Sequence, residues 1–285
     1  MKRPGDIAEE ELTMGTILNL TTAFEGLASM RISQIKNQVQ ASQLFFDELW
    51  HIYDQMRVDK FFRFGREQTE PVVDKELIIA ITAEGGFSGD IDEKLIHWML
   101  EKHDAKTQDI IIIGHHGAVQ LTQSGVSFKK YFKLPERDQN INVAPLVKLV
   151  RDYRNTTVYY QTYVSLMVQD IKRIELKKAV QEAGGRAGKE NEQDIISEDT
   201  YIFEPSTFAV VAHLERSMLE ISLSQAILES KLAQYASRFR AMTVAKDKAT
   251  ESKNDLHLLY NRTRRAVADE RLKEIVNGMK KAEVL

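Results

Sequence analysis

The chain has no cysteine, which excludes disulfides, thiolate metal sites and a cysteine nucleophile. Proline is scarce at five residues and glycine modest at 14, so long uninterrupted helices are allowed. A formal net charge of -3 is too near neutral to argue for nucleic acid or an anionic membrane surface. No stretch reaches the roughly 18 consecutive apolar residues of a bilayer-spanning helix. The first residues, Met1-Lys2-Arg3-Pro4-Gly5-Asp6, lead into acid rather than an apolar run, unlike a signal or transit peptide. These features predict a soluble, cytosolic chain without direct membrane insertion. At 285 residues and 43% hydrophobic, it can bury one large core or two modest ones.

The clearest positive feature is C-terminal. Glu204-Pro205-Ser206 breaks the chain and offers a helix cap, and no Gly or Pro follows until Gly278. A helix over that span would be on the order of 100 Å long at ~1.5 Å per residue, far beyond an ordinary globular helix. Val211, Leu214, Met218, Ile221, Gln225, Leu228, Leu232, Tyr235, Phe239 and Met242 alternate steps of three and four. That is a heptad seam, which implies a supercoil against another helix. Beyond Met242 the pattern thins through Ala245, Lys246, Lys248 and Lys253, then resumes weakly at Leu256, Leu259, Tyr260, Val267, Leu272 and Ile275.

The N-terminal segment answers it. Ile32, Ile35, Val39, Ser42, Phe46, Leu49, Tyr53 and Met56 repeat the alternation. Upstream, Ile17, Leu20, Phe24 and Leu27 form a seam shifted by one position, which predicts local unwinding. The simplest arrangement pairs the two terminal helices antiparallel. The alternative is that each packs on a globular core.

Between the helices the pattern changes. Leu77 to Ile81 and Ile110 to Ile113 are continuous β-branched runs that read as strands buried on both faces. Ile91, Leu95, Trp98, Met99 and Leu100 supply a helix between them, completing a βαβ unit. Ala144 to Tyr153 reads as a further helix, and Thr156 to Tyr160 and Val164 to Leu176 as strands. Ala183-Gly184-Gly185-Arg186-Ala187-Gly188 through Glu192 reads as a polar, glycine-rich loop. The predicted fold is therefore α/β plus a long antiparallel α-helical coiled coil. Residues 1–60 and 205–285 form the coil, and a small Rossmann-like domain spans 72–203. Its central seam is Ile35, Val39, Phe46 and Leu49 against Leu228, Leu232, Tyr235, Phe239 and Met242.

Three local features invite chemistry. Gly85-Gly86-Phe87-Ser88-Gly89 sits where a phosphate-binding loop would lie, but it has neither the dinucleotide nor the P-loop spacing. It reads better as a tight strand-to-helix turn capped by Ser88 or Asp90. His115-His116 has no companion at a metal-ligand spacing and reads as a solvated loop. Arg262, Arg264 and Arg265 are either a solvated face paired to Asp269, Glu270 and Glu274, or contacts to carboxylates of a partner. No catalytic constellation, metal site or cofactor motif stands out, so the chain does not read as an enzyme.

Leu258-Leu259-Tyr260-Asn261-Arg262-Thr263-Arg264-Arg265-Ala266, followed by Leu272 to Gly278, resembles the end of the γ-chain family of F-type ATP synthases. Tyr235 to Met242, Thr82 to Gly89, Ile113-Gly114 with Gly117, and Tyr201-Ile202-Phe203-Glu204-Pro205 are similar to that family's other motifs, in order along nearly the whole chain. The resemblance implies a central rotor shaft inside a hexamer of α and β subunits. Its foot joins an ε subunit and the membrane c-ring, and ion flow turns the shaft while ATP chemistry occurs elsewhere. It also implies the cytoplasmic face of a bacterial plasma membrane, as a peripheral part of the F1 sector. The implied contact residues are Phe24 toward the β lever loops, Arg264, Arg265, Asp269 and Arg271 at the β catch loop, and Ile275 and Val276 at the apolar tip. The family pattern has Gln at Arg265 and Thr at Asp269, and Glu9-Glu10-Glu11 replaces a basic N-terminal motif. These departures suggest a divergent enzyme, for example one running as a hydrolysis-driven ion pump. Two other classes remain at this stage: a coiled-coil adaptor unrelated to rotation, and a small nucleotide-binding enzyme using the Gly85–Gly89 turn.

Overall fold

The structure, a computed structural model, describes residues 2–55, 73–136, 138, 141–179 and 202–283. Met56, the glycine-rich loop from Ala183 to Glu192, Tyr201 and the boundaries set at 60 and 72 lie outside the described residues. In chain order the elements are α1 (Pro4–Gln55), β1 (Val73–Ile81), α2 (Ile91–Leu100), β2 (Gln108–Ile113), α3 (His115–Gln123), β3 (Lys130–Phe132), α4 (Ala144–Arg151), β4 (Tyr153–Tyr163), β5 (Gln169–Glu175) and α5 (Thr207–Glu283). The fold class is α/β with an antiparallel pair of long helices, α1 of 52 residues and α5 of 77. The chain divides into two compact units. One comprises 28–238 and the other 1–27 with 239–285.

In unit 28–238 a five-stranded sheet runs β3-β2-β1-β4-β5. β1 pairs parallel with β2 and with β4, β2 pairs parallel with β3, and β5 closes the far edge antiparallel to β4. The continuous apolar runs follow from burial on both faces. Ile78, Ala80, Ile110, Ile112 and Tyr159 pack under α2 and α3 with Leu95, Met99 and Leu121. Leu77, Ile79, Ile81, Ile111, Val158 and Tyr160 face α4, together with Phe46 and Trp50 of α1 and Met218, Leu219, Leu223, Ala226 and Ile227 of α5. Within this unit α1 and α5 run antiparallel, with Tyr53 Oη donating to Glu215 Oε1 at 3.2 Å. Ile32, Ile35 and Phe46 are buried and Val39 and Leu49 half-buried; on α5, Leu228 and Leu232 are buried and Tyr235 half-buried.

α5 carries a second buried face here that its heptad spacing does not announce: Leu219, Leu223, Ala226, Ile227, Ser230, Ala233, Gln234 and Ser237. One face meets α1 and the other the sheet, so more than half of the helix circumference is removed from water. At its start Ser206 caps the helix, its Oγ accepting from the Ala209 N–H at 3.2 Å.

Several sequence expectations are corrected here. His115-His116 does not form a solvated loop; it opens α3. The helix starting at Ala144 stops at Arg151, and Tyr153 already begins β4. Between β4 and β5, residues 164–168 turn rather than extend. The short edge strand β3 carried no apolar alternation to mark it.

In unit 1–27 with 239–285, α1 and α5 again run antiparallel. Lys246 meets Glu25 at 2.6 Å, and His257 meets Glu11 at 3.0 Å. The face that α1 turns inward is Ile7, Glu11, Met14, Leu18, Thr21 and Glu25. From Ile7 these continue the three-four alternation through Ala28 and Ile32 without a slip. The shifted seam of Ile17, Leu20, Phe24 and Leu27 is therefore overturned: all four are exposed. On α5 Phe239 is half-buried, and the inner positions after Met242 are Lys246, Ala249, Lys253, Leu256, Tyr260, Thr263 and Val267, whereas Leu259 and Leu272 face water. Small and polar residues, Thr21, Glu25, Ala249 and Thr263 among them, interrupt the inner seam, while the apolar spacing of Ile17, Leu20, Phe24 and Leu27 lies on the outer face.

Candidate functional site

Among the described residues, two places hold side chains that could act on something else. The first is the outer surface of the helix pair in unit 1–27 with 239–285. On α1, Ile17, Leu20, Phe24 and Leu27 line up at helical spacing in water, with Phe24 37% exposed. On α5, Leu258, Leu259, Leu272, Ile275, Val276 and Met279 do the same. Apolar stripes of this kind mark interaction surfaces. Arg264, Arg265, Asp269 and Arg271 are exposed beside them. The Arg264 guanidinium lies 5.8 Å from the centre of the Tyr260 ring. Among the described residues no ion pair joins Arg262, Arg264 or Arg265 to Asp269, Glu270 or Glu274, so of the two readings of these arginines the salt-bridged face has no pair behind it there. Glu25 is held below the usual carboxylate range by its hydrogen bond to Lys246, and Thr243 donates to it at 2.7 Å. The stripe is thus apolar outside and charge-paired inside.

The second place is the C-terminal end of the sheet, in unit 28–238. The turn after β1 is tight, with Phe87 at φ 67 and Gly89 at φ 69. Neither Ser88 nor Asp90 caps α2 through its side chain. Ser88 Oγ instead donates to Asp92 at 3.5 Å, and Asp90 pairs with Lys94 at 2.7 Å. The turn's carbonyls point at α5. Arg238 Nε donates to Gly86 O at 3.1 Å and Nη2 to Gly85 O at 3.2 Å. A phosphate group would need free backbone donors, and this arrangement presents satisfied acceptors. Across the crevice, Gly114 sits at φ 98, and a Cβ there would fall 2.0 Å from Thr82 O. A Cβ at Gly117 would fall 2.6 Å from the Ile112 side chain. These clashes explain why glycine occupies both positions of the Gly114-His115-His116-Gly117 motif.

Asp92 lies at the centre of this region, with only 2% of its surface exposed. Its Oδ1 accepts from Ala83 N at 3.2 Å and from Gln161 Nε2 at 2.7 Å. His116 Nδ1 stands 3.0 Å from Oδ2. That hydrogen bond raises the His116 pKa against the opposing effect of partial burial. Gln161 in turn reaches α5, its Oε1 accepting from Ser230 and, at 3.4 Å, from Gln234. Asp92, among Asp90, Glu93 and Lys94, and Ser230, between Glu229 and Lys231, read in the sequence as ordinary solvated polar stretches, and Gln161 and Gln234 as single polar residues, so nothing in their spacing marks the four as a cluster. Their burial is what demands the partners they find.

Among the described residues no group of His, Asp or Glu could hold a metal ion, and no helix is long and apolar enough to cross a membrane.

The profile of the ATP synthase family matches residues 12–281. The chain is 24% identical over 270 residues to the ATP synthase gamma chain of Geobacter sp. (strain M21), covering 91% of each. It is 23% identical over 286 residues to that of Flavobacterium johnsoniae, covering 96% of each. Among solved structures it is similar to the rotor of Euglena gracilis mitochondrial ATP synthase, with a TM-score of 0.61, 14% identity, and coverage of 93% of this chain and 99% of that one. The central stalk and c-ring assembly of the Tetrahymena thermophila mitochondrial enzyme matches with a TM-score of 0.54 and 17% identity, over 79% of this chain and 99% of that one. A match along residues 12–281, gathering the C-terminal, glycine-turn and helix-entry motifs in one frame, settles the kinship: the chain belongs to the ATP synthase γ-chain family.

Proposed function

We propose that this chain is the central rotor shaft of an F-type ATP synthase, coupling ion flow and c-ring rotation to ATP synthesis or hydrolysis in a hexamer of α and β subunits. The observation that carries the reading is the outward apolar stripe of Ile17, Leu20, Phe24 and Leu27 on a helix pair whose family spans nearly the whole chain. In water such a stripe is unfavourable; inside a ring of subunits it is a bearing surface. Phe24, Arg264, Arg265, Asp269, Arg271, Ile275 and Val276 are the residues proposed to touch that ring. Residues 1–60 and 205–285 would form the shaft and 72–203 the domain that meets the ε subunit and the c-ring. The solved relatives, a central stalk with its c-ring and an assembly of F1 with a c-ring, support those partners. The chain itself is non-catalytic in this reading. It acts by presenting an asymmetric surface that biases neighbours with more than one stable state. Its bacterial relatives support a place at the cytoplasmic face of a plasma membrane, as part of the F1 sector.

Affinity purification of the tagged chain from its native membranes tests this. Recovery of one copy with three α and three β subunits and ATPase activity is expected. Recovery of the chain alone or as a homodimer, with the hexamer present in the same lysate, would overturn it in favour of an adaptor.

A further inference from the structure

We propose that the buried hydrogen-bonded cluster joining the ends of β1 and β4 to α5 is a torsional latch, through which turning force passes between the sheet and the long helix. The proposal rests on the rotor reading and adds the residues that keep sheet and helix in one rotational register: Asp92, Gln161, Ser230, Gln234, Ser237 and Arg238.

The position comes first. The sheet order reverses direction between β1 and β4, and in open α/β sheets the crevice outside the strand ends at such a point ordinarily takes a ligand. Here α5 fills it. Gln161 is fully buried at the end of β4, Ser230 is fully buried on α5, and Asp92 on α2 is nearly so. The bonds run without a break from Asp92 to Gln161 Nε2, from Gln161 Oε1 to Ser230, and from Gln234 Nε2 to Ser230 Oγ at 2.9 Å. One turn further along, Ser237 Oγ donates to Ser88 O at 2.6 Å. Ala233 and Ala236, both fully buried, keep this face of α5 slim enough for the close approach. A Cβ at Gly89 would already stand 3.4 Å from Ser237 Oγ.

The chemistry gives the function. Leu219, Leu223, Ala226 and Ile227 also hold α5 to the sheet, but apolar burial is non-directional and tolerates a small slide or roll. Hydrogen bonds weaken steeply off axis, and a slip here would strand buried donors and acceptors with no water to replace them. The apolar face supplies adhesion; the polar cluster supplies register. A shaft under load needs the second.

The test uses the assembled, membrane-reconstituted complex in inverted vesicles, carrying Ser230→Ala, Gln161→Met, or both. Ions moved per ATP hydrolysed are followed with a proton-sensitive dye and, in a parallel arm, with sodium-22. Leu223→Ala serves as a control that loosens adhesion without touching the cluster. In the double variant the ratio is expected to fall by about threefold or more. The deficit should grow with the opposing ion gradient, while Leu223→Ala keeps the ratio and lowers only the amount assembled. An unchanged ratio in the double variant, or an equal fall in Leu223→Ala, would overturn the latch. A wild-type complex that moves no ions would count instead against the rotor reading.

Discussion

Glu25 of α1 and Lys246 of α5 meet at 2.6 Å across the inner seam of unit 1–27 with 239–285, where a coiled coil ordinarily places two apolar side chains. The pair fixes partner and register at the expense of apolar burial. Lys246→Met should lower stability by about 1 kcal/mol. The Glu25 carboxyl has a depressed pKa, so its contribution is present above the unfolded value and lost as pH falls through the folded one. Urea midpoints of wild type and Lys246→Met should therefore converge in acid and separate near neutrality.

The outward stripe makes an opposite pair of predictions. Phe24→Asp places a charge on a surface already 37% exposed, and the isolated chain should keep its stability within about 0.5 kcal/mol. Assembly with α and β subunits should be lost. Ile35→Asp buries an unpaired carboxylate at a position fully removed from water and should cost several kcal/mol, about 3 or more. Circular dichroism melts together with co-purification distinguish the two; equal melting points would contradict the assigned faces.

Gly114 and Gly86 contrast a crowded glycine at positive φ with an open one. Gly114→Ala meets the Thr82 carbonyl at 2.0 Å from a φ of 98, and should destabilise by about 3 kcal/mol or more. Gly86 has nothing within 4 Å of its missing Cβ, and Gly86→Ala should stay within about 0.5 kcal/mol. Denaturant titration of both variants checks the contrast.

His116 predicts a pH dependence of the opposite sign to Glu25. Its pKa is raised by the hydrogen bond to Asp92, with Glu84 adding to the rise and Arg238 opposing it. The stabilisation is complete below the unfolded value of about 6.5 and is lost as pH rises through the folded pKa. His116→Gln should flatten the fall in urea midpoint above that pH. An identical profile in the variant would exclude His116 as its source.

Much of this molecule is legible in its sequence, for identifiable reasons. β1 and β2 announce themselves because both of their faces are buried, leaving unbroken runs such as Ile110 to Ile113. α5 announces itself by lacking Gly and Pro between Pro205 and Gly278. In unit 28–238 the seam from Ile32 to Leu49 is largely apolar and reads directly. In unit 1–27 with 239–285 it does not, because Thr21, Glu25, Ala249 and Thr263 occupy inner positions while Leu20, Leu27 and Leu258 face out. Periodicity reports where apolar residues are, and on this helix pair many of them, Ile17, Leu20, Phe24 and Leu27 among them, face outward, toward water in the lone chain. The cluster around Asp92 was hidden for a different reason. Its members come from α2, β4 and α5, and only the sheet order brings them together.

Rotation itself tests the central claim most directly. With the α and β subunits fixed to a surface and a probe attached to unit 28–238, for example at an introduced cysteine in this cysteine-free chain, ATP should drive unidirectional turning of the probe. ATP hydrolysis by the same fixed particles with the probe stationary would contradict the assignment of this chain as the shaft.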